Sequence, residues 1–137
     1  MGNILEKDRR KFEHIDSVYV TGSVTSIVGE VREAIAGVCP MRFGAGMQNK
    51  VLEYMALGLP TITSSMGLEG IDAVPGHQLL VASTPEDYEY HLNRLYNDIE
   101  YATNLSKEGR LFVEKNHAWQ IALSPLIKQV DKILGLS

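Results

Sequence analysis

Residues 40–65 read PMRFGAGMQNKVLEYMALGLPTITSS, and their order of elements decides the fold. Pro40 closes a short apolar run, Gly37–Met41, that contains Val38 and Cys39 and predicts a buried strand with a sharp exit. Phe43-Gly44-Ala45-Gly46 is a glycine loop. Met47–Leu57 predicts a helix with Val51, Leu52 and Met55 on one face, and Gly58 is placed to end it in the left-handed conformation. Pro60–Ser64 predicts the next strand. A strand, a glycine loop, a helix and a second strand in close succession form the repeating unit of an α/β protein.

Outward from this stretch the alternation continues. Upstream, residues 3–14 predict a polar helix, the β-branched run Val18–Thr21 before Gly22 predicts a strand, and Ile27–Ala34 predicts another helix. Downstream, Met66–His77 reads as a glycine-containing loop and Gln78–Ala82 as a fourth strand. Thr84-Pro85-Glu86 is an N-cap with proline at the first helical position, and Tyr88, Leu92, Leu95 and Ile99 then recur at helical spacing as a core stripe. Ala102, Leu105, Gly109 and Phe112 mark a second helix, and a third begins near Trp119. The expected fold is therefore α/β: a Rossmann-like parallel sheet of about four strands with helices on both faces. A free edge at Val18–Val20 predicts edge pairing and a homodimer.

Composition narrows the function classes. The chain has 137 residues, 45% of them apolar, and a net charge of −4, which fits one globular domain and argues against a nucleic-acid binder with a broad basic face. A single cysteine, Cys39, permits no intramolecular disulfide and reads as a small buried hydrophobe. The sequence contains no signal-peptide core and no stretch approaching a membrane span, so a cytoplasmic protein is expected. No Cys/His spacing suggests a metal site, and His14 and His91 read as surface residues.

The chemistry is concentrated in the same stretch that decides the fold. Gly44 and Gly46 allow the backbone close to a ligand. The N-terminal turn of the helix, around Met47, Gln48 and Asn49, favours an anion. Lys50 lies within that turn, Arg42 just upstream, and Glu53 one turn beyond Asn49. A carboxylate there is able to accept two hydroxyl hydrogen bonds, as a ribose would offer. A tight strand-to-helix turn with no ligand accounts for the same glycines.

The pattern formed by Pro40, Arg42, Gly44, Gly46, Lys50, Leu52, Glu53, Met55, Ala56, Gly58 and Pro60 resembles the donor-binding segment of the large retaining glycosyltransferase family known as group 1, which has the GT-B fold. Gly67-Leu68-Glu69-Gly70, Pro75–Val81, Thr84–Asp87 and His117-Ala118-Trp119 fit the same family, as does Val20–Val24 upstream. The resemblance implies that residues 1–137 are one partial domain, the nucleotide-sugar-binding part of the C-terminal lobe, with C-terminal helices over 85–134. It implies that Glu53 binds the donor ribose, that Gln48, Asn49 and Lys50 hold the diphosphate, and that the turn at Ser23, Val24 and Thr25 lines the base. Gly44, Ala45 and Gly46 would lie near the transferred sugar and Arg42 beside them.

Ala45 stands where many members of the family carry a first glutamate, which removes one donor-sugar contact. Residues 1–16 supply no basic glycine turn of the kind that clasps the phosphates upstream. The resemblance therefore implies a longer enzyme with an N-terminal acceptor lobe, and a 137-residue piece that is inactive alone. Its parent would transfer a hexose-type sugar from a nucleoside diphosphate sugar to a polysaccharide or glycolipid, with no cofactor and no metal, peripherally at the inner membrane face through its acceptor. A sugar-nucleotide epimerase of the same fold and a non-catalytic α/β binding module are the alternatives.

Overall fold

A computed structural model describes residues 6–22, 27–41, 48–118, 129 and 132–135. The chain opens with α1 (Glu6–Glu13), which buries no side chain and is laced by the ion pairs Arg9–Glu13, Arg10–Glu6 and Lys11–Asp8. Such exposed pairs contribute only about 0.2–0.5 kcal/mol each, so α1 is a solvated element rather than part of the core. Val18–Thr21 is not a strand: it forms no ladder, and Tyr19 is 88% exposed. A β-branched run needs a neighbouring strand to become one, and among the described residues this run pairs with none. The edge pairing expected at Val18–Val20 loses its structural basis with it. A one-turn helix, α2 (Ile27–Val31), follows.

Among the described residues the sheet has three strands, β1 (Gly37–Cys39), β2 (Thr61–Thr63) and β3 (Leu80–Val81), all parallel and in the order β1-β2-β3. Val38 is aligned with Ile62, and Ile62 with Leu80. The crossovers are α3 (Gln48–Ala56) between β1 and β2 and α4 (Ser65–Leu68) between β2 and β3. Because both crossovers step the same way across the sheet, their common handedness places them on one face. Beyond β3 come α5 (Pro85–Asn97), which packs on the other face, and α6 (Ile99–Asn116).

On the α3 face, Cys39, Val51, Leu52 and Met55 pack with Ile71, Leu79, Phe112 and Val113. On the α5 face, Ile62, Leu80 and Ala82 pack with Leu95 and Leu105. Alternation along β1 explains the division: Gly37 and Cys39 are buried toward α3, while Val38 points the other way and stays partly exposed. The two polar side chains buried in β2 are satisfied, Thr61 donating to the Leu59 carbonyl and Thr63 to the Cys39 carbonyl, both at 3.0 Å.

Helix ends follow the sequence signals closely. Gly58 has φ of 75°, its N–H donates to the Met55 carbonyl, and the Leu59 N–H reaches back to Tyr54, which together close α3 in a Schellman motif. Thr84 and Asp87 form a capping box at the start of α5. The Ser83 and Thr84 N–H groups donate to the Asp87 carboxylate at 2.9 and 3.1 Å and hold its carboxyl below the usual carboxylate range.

Three further expectations need correction. The loop expected over Met66–His77 begins inside α4, which Ser64 caps by accepting from the Gly67 N–H. Of the stripe on α5, Leu95 is buried, but Leu92 is 37% exposed and Ile99, already in α6, is 77% exposed. His91 is no surface residue: its ring is half-buried and lies 3.0 Å from the Val81 carbonyl, tying α5 to β3. Most of the helix expected from Trp119 lies outside the described residues.

Candidate functional site

In a parallel α/β unit the helix after a strand starts at the strand's carboxyl end, so α3 presents its N-terminal turn beside the end of β1. Val51, Leu52 and Met55, all at most 1% exposed, fix the rotation of α3 against the sheet. That leaves Lys50 and Glu53 on the flank of the helix, half sunk, with side chains 21% and 12% exposed. Their charged groups meet: Lys50 Nζ donates to Glu53 Oε2 at 3.2 Å. Burial, the largest single influence, pulls the Lys50 pKa down, but the Glu53 carboxylate and the other groups around it, Tyr54 among them, together leave Lys50 above the ordinary lysine value. Lys50 is therefore fully cationic at neutral pH.

Cys39 lies within electrostatic reach of this pair, at the end of β1, and Tyr54 packs over the strand so closely that a Cβ on Gly37 would fall 2.5 Å from its ring. Burial pushes the Cys39 thiol up to about 11 from an ordinary 9.0. The folded state thus favours the neutral thiol. Its contribution to stability is complete below pH 9.0 and is lost as pH rises toward about 11. Iodoacetamide at pH 8 is expected to label Cys39 far more slowly in the native chain than in denaturant. Labelling at the rate of a free thiol would show that the end of β1 is open.

Of the residues the sequence proposes for the donor, the structure brings together Lys50 and Glu53 and places Asn49, half-buried, beside them in the same helix. Gln48 starts α3. Val24, Thr25, Arg42, Gly44, Ala45 and Gly46 lie outside the described residues. Glu69 sits at the end of α4, exposed. Among the described residues no three His, Cys, Asp or Glu side chains come together as metal ligands.

A cleft of about 880 Å³ opens at the carboxyl ends of the strands, between Met41 after β1, Ser64 and Met66 after β2, and Tyr88, Leu92 and Asn93 of α5. It was not legible in the sequence, where Leu92 belongs to a core stripe. Among the described residues its lining has no Lys, Arg or His, and it includes Glu89.

The sequence profile of the family described as Glycosyl transferases group 1 matches residues 2–98, which takes in β1 and the whole of α3 with Lys50 and Glu53. The chain belongs to this family of glycosyltransferases. No curated protein and no solved structure matches it significantly. Among the described residues no helix is long and apolar enough to cross a membrane.

Proposed function

We propose that this chain is the donor-binding part of a group 1 glycosyltransferase, with the nucleoside diphosphate of a sugar donor held at the N-terminal end of α3. The observation that carries this reading is the largely buried Lys50–Glu53 pair, which begins in the first turn of α3 and lies inside the region the family profile matches. The helix dipole and Lys50 meet the diphosphate, and Glu53 accepts from the ribose hydroxyls. As the glycosidic bond to the donor breaks, negative charge grows on the leaving phosphate oxygens, and a cation already fixed in place stabilises it without reorganisation. In this reading the helix and the lysine supply the positive charge, and no metal or cofactor is required. Residues 1–137 act as one partial lobe. An acceptor lobe elsewhere in the enzyme presents a polysaccharide or glycolipid hydroxyl at the cytoplasmic side, and a hexose is transferred.

Binding by the 137-residue chain alone is expected to be weak, no better than about millimolar, since a charge-assisted hydrogen bond is worth roughly 1.5–3 kcal/mol and an upstream clasp would supply more than one. The test is an amide-shift titration with uridine and guanosine diphosphates. Shifts should centre on Met47–Glu53; Glu53→Ala should reduce binding, while Glu69→Ala should leave it unchanged. Shifts confined to α5 and α6 would place the ligand elsewhere.

A further inference from the structure

The cleft at the carboxyl ends of the strands is lined in part by apolar groups that the fold leaves uncovered. Val38 of β1 and Leu92 of α5 each keep 37% of their surface exposed, and Met41, Met66 and the ring of Tyr88 lie around them. The polar groups of the lining divide into two sets. Ser64 and Thr84 are spent on the backbone. The Ser64 hydroxyl donates to the Met41 carbonyl at 2.6 Å and accepts from the Gly67 N–H at 3.2 Å, and the Thr84 hydroxyl accepts from the Asp87 N–H at 3.2 Å. Ser65, Ser83, Glu89 and Asn93 are exposed, and among the described residues their side chains hold no hydrogen bond or ion pair. Glu89 and Asn93 stand one turn apart on the same side of α5, with roughly 5–6 Å between their Cβ atoms.

This lining suits a particular kind of ligand. A carboxylate that accepts, an amide that donates and accepts, and two hydroxyls that do both match a molecule whose own polar groups are hydroxyls. The apolar floor and the tyrosine ring match its C–H face. The start of α5 offers an anion little, because Glu86 and Asp87 already occupy its first turn and Asp87 holds the Ser83 and Thr84 N–H groups.

We propose that the cleft is a saccharide subsite that takes one uncharged pyranose ring, with the Tyr88 ring and Leu92 against its C–H face and Glu89 and Asn93 bonded to its hydroxyls. Glu89 and Asn93 set the specificity, because a hydroxyl turned the other way in an epimer leaves one of them unpaired, whereas the apolar floor accepts either. The subsite does not rest on the donor reading, whose residues lie on α3, on the opposite face of the sheet. Both open at the same edge, since α3 follows β1 and α5 follows β3. Two sources carry the chemistry the cleft takes: the hexosyl group of a nucleotide sugar and a sugar unit of a glycan acceptor.

The experiment titrates the 137-residue chain with the methyl glycosides of glucose, galactose and mannose and follows the amide shifts, with uridine, guanosine and glycerol as controls. At least one glycoside should shift Ser83–Asn93 saturably, with an affinity on the order of millimolar, and leave Met47–Glu53 silent. Glu89→Ala and Asn93→Ala, both at exposed positions of α5, should each weaken that glycoside threefold or more, while Glu100→Ala on α6 should not. The proposal is overturned if no glycoside gives a saturable shift, if both α5 variants bind it as the parent chain does, or if glycerol or the nucleosides move the same residues equally. The source is read with the nucleotide sugar of the best glycoside. Displacement of the glycoside by that nucleotide sugar, but not by its nucleoside diphosphate, assigns the cleft to the transferred sugar. Shifts of both ligands together, at Met47–Glu53 and at Ser83–Asn93, assign it to the acceptor; either result upholds the subsite. If neither uridine nor guanosine diphosphate shifts Met47–Glu53, the donor reading falls while the glycoside result stands on its own.

Discussion

Met55→Ala is expected to destabilise the chain by about 2–5 kcal/mol, the range for removing a large buried aliphatic side chain whose space does not fully collapse. Met55 is completely buried in the layer between α3 and the sheet, and its terminal methyl lies 3.6 Å from where a Cβ on Gly109 of α6 would stand. It therefore fills the crossing of the two longest-packed helices on that face as well as supporting β1 and β2. Urea denaturation followed by circular dichroism measures the loss. A cost below about 1 kcal/mol would mean that the neighbouring side chains close the hole, in the way that well-tolerated core swaps do.

Gly109→Ala carries the second large effect, and with an unusual sign. Within a helix, exchanging glycine for alanine ordinarily gains close to 1 kcal/mol. Here the added methyl would lie 2.6 Å from the backbone carbonyl oxygen of Gln78, which is not a side chain able to swing aside. Overpacking of this kind costs typically about 1–3 kcal/mol. The expected outcome is a net loss of stability, with α6 pushed off the loop before β3. A thermal midpoint equal to or above that of the parent chain would show that this close approach is easily relaxed.

These two residues show how unevenly the structure is written in the sequence. The path from β1 through α3 to β2 is legible because each boundary carries a chemical marker: Pro40 after the strand, Gly58 at the left-handed helix end, Pro60 before the next strand. The start of α5 is equally plain, since Thr84, Pro85 and Asp87 are a cap, a first-turn proline and the reciprocal partner. Tertiary demands are not marked in this way. Nothing local in Val18–Thr21 says that no strand will lie beside it, and the residues obey their propensity only when one does. Leu92 and Ile99 have the spacing of a buried stripe, but spacing says which side of a helix is apolar and not how much of that side is covered. Likewise Lys50 and Glu53 are recognisable as a cation and an anion one turn apart, whereas their withdrawal from water follows from the burial of Val51 and Met55 beside them.

Lastly, α6 touches both apolar layers. Its early residue Leu105 closes the layer against α5, and its later residues Phe112 and Val113 close the layer against α3. Neither layer is sealed until this helix has been laid down, although the strands it covers begin at Gly37. As the chain emerges from the ribosome, β1, α3 and β2 are made first and must wait, with their apolar faces open, for a segment about 50 residues further along, a span set by the separation of Thr63 from Val113. Parallel pairings of this kind reward the chain late and leave it exposed to aggregation in the interval. Synthesis halted just short of residue 113 would leave a nascent chain with its sheet spelled out and its lid missing, a natural client for a chaperone.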